Sequence, residues 1–141
     1  MEILIASDHA GYELKEQIKD FFKNRFMWKD FGTFSTESVD YPDFTHPLAK
    51  EIEDNPAKKG VMICGSGNGV CMTANKHRNV RAALCWKNEI AVLARQHNDA
   101  NILALPARFI SKEEAFEMVE IFFTTAFEEG RHQKRVDKIN V

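Results

Sequence analysis

Residues 60–77 read GVMICGSGNGVCMTANKH, and the change of character along them decides the fold. Gly60 to Cys64 is a short apolar run of the kind that fills a buried strand. Gly65 to Gly69 places three glycines in five residues, and Val70 to His77 continues as a helix. A strand turning sharply into a helix is half of a β-α-β unit. The glycines let the backbone approach a ligand closely and leave amide N–H groups for an anion. No Lys-Ser or Lys-Thr follows, so this is no P-loop, and Val70 stands where the dinucleotide fingerprint needs its last glycine.

The same alternation extends in both directions. Towards the N-terminus, residues 2–7 (EILIAS) form an apolar run, and residues 11–25 carry Leu14, Ile18, Phe21 and Phe22 at helical spacing. A strand at 26–31, a loop of Gly, Thr and Ser, and a helix starting near Pro42 come next; proline suits a first helical turn. Towards the C-terminus, 80–85 reads as strand, 86–96 as helix and 101–105 as the fifth strand. Ser111 with Glu114 forms a capping box for a helix whose apolar face runs through Phe116, Val119, Phe122 and Phe123, and Gly130 precedes a basic tail. Short alternating strands and helices predict parallel pairing with right-handed crossovers, hence an α/β fold: a three-layer α/β/α sandwich around a five-stranded parallel, Rossmann-like sheet. One domain spans 1–141, with the tail 130–141 serving the ligand site or subunit contacts.

Composition narrows the function. A 141-residue chain with 44 % apolar and 28 % charged residues buries roughly 68–70 % of its unfolded surface, which predicts an ordinary soluble globule. A net charge of −2 without a basic run offers no face for nucleic acid. No stretch approaches a membrane span and the N-terminus lacks a leader, so the expectation is a cytoplasmic protein. Cys64, Cys71 and Cys85 lack paired spacing and are read as free thiols. Among His9, His46, His77, His97 and His132 no two are four apart, so neither a metal site nor a cofactor is indicated.

In open parallel sheets ligands bind beyond the carboxyl ends of the strands. Two segments there hold chemistry. Cys64 ends a strand beside a helix N-terminus, a position that favours thiolate over thiol and suits a proton-abstracting base; a small buried hydrophobe is the bland alternative, and the reading for Cys71 and Cys85. Ser7-Asp8-His9-Ala10-Gly11 sets an acid and an imidazole at the same edge, where Asp8 could equally be a helix cap. If the tail is helical, Arg131 and Arg135 share one face and fit a phosphate; a solvated tail is the alternative.

The segments SDHAG (7–11), DYPD (40–43), ICGSGNG (63–69), RAALC (81–85), RQHNDANILAL (95–105) and GRHQKRV (130–136) together resemble, in order, the ribose-5-phosphate isomerase B family. The resemblance implies interconversion of ribose 5-phosphate and ribulose 5-phosphate through an enediolate, in the pentose phosphate pathway. It implies Cys64 as base, Ser66 moving protons at the substrate oxygens, and the Gly65–Gly69 turn, with Gly67 and Asn68, stabilising the oxyanion. It implies His97 as ring opener, Asp8, Tyr41 and Asn98 on the sugar hydroxyls, and His9, Arg108, Arg131 and Arg135 near the phosphate. Relatives acting on galactose or allose 6-phosphate leave a hexose substrate as the alternative, and a non-catalytic sugar-phosphate module is a third reading. Pro106 stands where the family often has glycine, and Glu129 replaces the first of two glycines; both bear on the arginines.

His97 and Asn98 precede the fifth strand, at its amino end, whereas Asp8 and Cys64 follow theirs. A strand of five residues is roughly 17 Å long, so one pocket can hold both groups if a second subunit supplies one of them. The expectation is a homodimer or a tetramer with a shared active site, with the phenylalanines of the last long helix either in the contact or packed inward.

Overall fold

The computed structural model describes all 141 residues. Five strands, β1 (Glu2–Ser7), β2 (Met27–Asp30), β3 (Gly60–Cys64), β4 (Ala82–Leu84) and β5 (Ile102–Pro106), alternate with helices α1 (Tyr12–Phe21), α2 (Tyr41–Asp54), α3 (Asn68–Ala74), α4 (Asn88–Gln96) and α5 (Lys112–Thr124), and α6 (Arg131–Asp137) ends the chain. All pairings are parallel, in the order β2-β1-β3-β5-β4. The fold is the α/β architecture the alternation predicts.

Both sheet faces are covered, which is why the central strands are apolar throughout rather than alternating. Ile3, Ile5, Val61, Ile63, Leu103 and Leu105 pack with α1, α4 and α5; Leu4, Ala6, Met62, Cys64, Ile102 and Ala104 pack with α2 and α3. Each fully buried Ile or Leu contributes about 1.5–3 kcal/mol. Phe122 and Phe123 are buried and Phe116 stacks on Phe21 at 4.2 Å, so the aromatic face of α5 points inward. The Ser111–Glu114 capping box forms with both bonds.

Several boundaries differ from the sequence expectation. α3 starts at Asn68 because Gly67 adopts φ +76° and turns the chain immediately into the helix. β4 covers only three residues, since Arg81 N donates to the Asn101 side chain instead of a strand. α1 ends four residues early, in a turn through Phe22. The tail is helical, as the arginine spacing requires.

The strand order reverses between β1 and β3. Their carboxyl ends therefore flank a crevice, the place where such sheets bind ligands.

Candidate active site

Cys64, the last residue of β3, opens into that crevice. It is 5 % exposed, and its Sγ accepts a hydrogen bond from Gly67 N at 3.2 Å. Asn68 N donates to Ser66 Oγ at 3.2 Å. Two of the loop's amides thus serve its own thiol and hydroxyl, while those of Gly65 and Ser66 carry no bond to the protein. The cradle expected from Gly65 to Gly69 is narrower than the glycine count suggests.

The chain beyond β5 completes this edge. Ala107 N donates to Cys64 O at 2.9 Å and Arg108 N to Gly65 O at 3.0 Å, which lays the Arg108 side chain over Gly65, where a Cβ would stand 3.1 Å from Nη1. The Tyr41 ring lies so close to Gly69 that a Cβ there would meet it at 2.2 Å. Tyr41, Cys64, Gly65, Ser66, Gly69, Arg108 and Phe109 line a cavity of about 470 Å³, within the size range of small-ligand sites. Phe109, 76 % exposed, has no signature in the sequence that distinguishes it from any surface apolar residue. A cavity of about 460 Å³ between α1 and α5 holds Phe21, Phe22 and Phe116 but no thiol or imidazole.

Asp8 follows β1 alongside this group: its N donates to Ile63 O at 3.2 Å, and its Oδ1 accepts from Gly11 N at 3.1 Å. Asp8 is not the cap of α1, which is Gly11 without a side-chain bond; its Oδ1 instead holds the turn that leads into the helix, and Oδ2 is left available. His9 Nδ1 accepts from Val39 N at 3.1 Å, so Nε2 is the nitrogen left for a ligand. Cys71 and Cys85 are free thiols. Burial raises both, and pushes Cys85 up to about 12, which suits packing rather than chemistry.

The remaining predicted residues lie elsewhere. His97 caps α4 at the opposite end of β5, whose last residue, Pro106, pairs with Cys64. Its ring stacks on His132 at 4.2 Å and 13°, with Glu128 beside both. Burial, followed by the charges of His97 and Arg131, pushes the His132 imidazolium below the usual range. Arg131 and Arg135 are exposed on one face of α6, and neither they nor Arg108 forms an ion pair with the chain's carboxylates. Asn98 lines a separate cavity of about 280 Å³ with Arg81 and Ile139. One chain therefore brings together Asp8, Tyr41, Cys64, Ser66 and Arg108, and keeps His97, Arg131 and Arg135 at the other edge. No pair of histidines marks Glu128 and His132 in the sequence; their one signal there is a carboxylate four residues before an imidazole.

The chain is similar over nearly its whole length to known proteins. The profile of a family described as Ribose/Galactose Isomerase matches residues 3–139. A probable ribose-5-phosphate isomerase B of Mycoplasma pneumoniae is 46 % identical over 139 residues, covering 97 % of this chain and 91 % of the relative. The crystal structure of a ribose 5-phosphate isomerase from Thermotoga maritima superposes with a TM-score of 0.95 at 47 % identity, over 99 % of this chain and 97 % of that one. The Mycoplasma genitalium ribose-5-phosphate isomerase B, solved with bound ribulose 5-phosphate, gives 0.93 at 45 % identity, over 98 % and 93 %.

Proposed function

Because the chain belongs to the Ribose/Galactose Isomerase family, we propose the following account of its chemistry. The protein is an aldose-ketose isomerase that interconverts ribose 5-phosphate and ribulose 5-phosphate. The observation that carries the assignment of residues is the Cys64 thiol: it receives an amide hydrogen bond at the mouth of the cavity.

The open-chain aldehyde lies over the Gly65–Gly69 turn. The Cys64 thiolate removes the C2 proton, and the electron pair moves to form an enediolate with its charge on O1. The amides of Gly65 and Ser66 stabilise that charge, in a class of interaction valued at about 2.7–4 kcal/mol per donor. Cys64 returns the proton to C1 while Ser66 Oγ moves the hydroxyl proton from O2 to O1, which yields the ketose. Both protons are conserved, and no redox partner is required.

His97 acts earlier, taking the anomeric hydroxyl proton and returning one to the ring oxygen, since an imidazole can both accept and donate a proton. Asp8, Tyr41 and Asn98 hold hydroxyls, and His9, Arg108, Arg131 and Arg135 hold the phosphate. These groups lie at opposite edges of one sheet, so the working unit is a homodimer in which each pocket takes His97, Asn98 and the α6 arginines from the second chain. Phe109, exposed beside Cys64, is the apolar surface such a partner covers. No helix is long and apolar enough to cross a membrane, and a charged sugar phosphate as substrate fits a cytoplasmic enzyme.

Incubation with phosphorylated aldoses and ketoses in D₂O tests the reading. Deuterium should enter C2 of ribose 5-phosphate and C1 of ribulose 5-phosphate, and enter galactose or allose 6-phosphate far more slowly. Faster exchange of a 6-phosphorylated hexose would reassign the substrate. Absence of exchange with every sugar would leave a binding module.

A further inference from the structure

The isomerase reading leaves Glu128 and His132 without a task. Glu128 lies in the connection between α5 and α6, and its N donates to Gln96 O at 3.0 Å, which fastens that connection to the end of α4. His132 sits in the first turn of α6, its N bonded to Glu129 O at 3.0 Å. As a result His97 Nε2 lies 3.6 Å from Glu128 Oε1, and His132 Nε2 lies 3.7 Å from the same oxygen. Ligand atoms of all three residues fall within 4.8 Å of one another.

Neither separation is a hydrogen bond. Two imidazole nitrogens and a carboxylate oxygen bound to one zinc ion at about 2.0–2.2 Å stand roughly 3.4 Å apart in a tetrahedron. Two observed edges exceed that by a few tenths of an ångström. The rings are parallel, 4.2 Å apart, so one must turn for both lone pairs to meet a shared ion. His97, with a side chain 38 % exposed, is free to turn, whereas His132, at 11 %, is the fixed ligand. The mixed nitrogen and oxygen donor set suits zinc or copper better than magnesium or calcium.

We propose that His97, Glu128 and His132 form a site for one divalent transition-metal ion, with the fourth position open. Arg131 and Arg135 on the same helix oppose a bare dication and favour an anion at that position. The site stands on these three side chains alone. Its consequence for turnover rests on the assignment of His97 to ring opening, since a metal ion would occupy the lone pair that step needs.

The test uses the full chain, reduced, stripped with chelator and titrated with Zn²⁺, while long-range ¹H–¹⁵N spectra follow the histidine rings. Calorimetry on the same samples counts the ions. The expected result is one ion per chain, with His97 and His132 Nε2 resonances shifting together. Glu128→Gln, at an exposed position that does not endanger folding, and His132→Gln should each weaken binding by more than the roughly 10–100-fold that loss of an outer-shell partner costs. Cys64→Ala should leave it unchanged. Unshifted His97 and His132 rings at saturating Zn²⁺, or binding that falls with Cys64→Ala and not with Glu128→Gln, would overturn the site. Activity measured alongside separates the two readings: a zinc-loaded protein that still isomerises ribose 5-phosphate keeps the metal site and removes His97 from ring opening.

Discussion

The carboxyl edge of β1 and β3 and the amino edge of β5 hold the two groups of functional side chains, and they are built in opposite ways. At the carboxyl edge a contiguous stretch, Cys64 to Gly69, folds on itself, with its thiol and hydroxyl each held by an amide of the same loop. At the amino edge His97, Glu128 and His132 arrive from the end of α4, a connection and α6, and meet through side chains. The first is a backbone device that tolerates little change. The second is an assembly of partly exposed groups, and in one chain it lies a sheet's width from the substrate it is assigned to serve. The proposed roles therefore put proton transfer at carbon on one edge and ring opening on the other.

The largest expected effect breaks that separation if it is wrong. Cys64→Ala should lower isomerisation by about 10²–10⁴-fold, the contribution of a general acid or base. His97→Ala should lower turnover of ribose 5-phosphate but spare erythrose 4-phosphate, whose phosphorylated C4 oxygen cannot close a furanose ring. Exchange of its C2 proton in D₂O is the measurement. If both variants lose that exchange equally, the tasks are one.

The next effect concerns what holds the carboxyl edge in place. Lys15 is fully buried, and its Nζ lies 2.5 Å from Asp30 Oδ2 at the end of β2. Burial alone would push the Asp30 carboxyl up, but hydrogen bonds from Lys15 and Lys19 outweigh it and hold the group below the ordinary range. A depressed carboxylate stabilises the fold above its unfolded value of about 3.9 and loses that contribution as pH falls through the folded one. Thermal midpoints should therefore fall more steeply below pH 4 in the wild type than in Asp30→Asn. At pH 7 that variant should already be less stable by about 1–3 kcal/mol, because the buried Lys15 keeps only the Glu16 carboxylate, 3.0 Å away, as its ionic partner.

Gly69→Ala sharpens the comparison at the substrate. Its methyl would meet the Tyr41 ring at 2.2 Å, so the ring must leave the cavity wall, with a stability cost of about 1–3 kcal/mol and a larger loss in kcat/KM. The smallest effect belongs to the amino edge. Glu129 adopts φ +62°, which costs a residue with a side chain about 1–2 kcal/mol; glycine removes that at an entropic cost of roughly 0.5–1 kcal/mol. Glu129→Gly should raise stability in chemical denaturation by about 0.5–1 kcal/mol.

The same contrast explains what the sequence made legible. The layers, the five strands and the Ser111 cap follow from local pattern, because apolar runs, glycine turns and capping spacings act over a few residues. The Cys64 loop was readable for that reason, although the split of its amides between thiol, hydroxyl and ligand was not. Tyr41 packing on Gly69 and Phe109 on the cavity wall depend on long-range approach between α2, α3 and the chain after β5. His97 had meaning only through resemblance, and the α6 arginines only through their own four-residue spacing, since nothing local links residue 97 to residues 128–135.

Mixed dimers made from Cys64→Ala and His97→Ala chains test most directly whether the two edges complete each other across subunits. Each parent should be nearly inactive on ribose 5-phosphate, and the purified heterodimer should recover about half of wild-type activity, one intact pocket in two. A heterodimer as inactive as its parents would contradict the account and return both edges to a single chain.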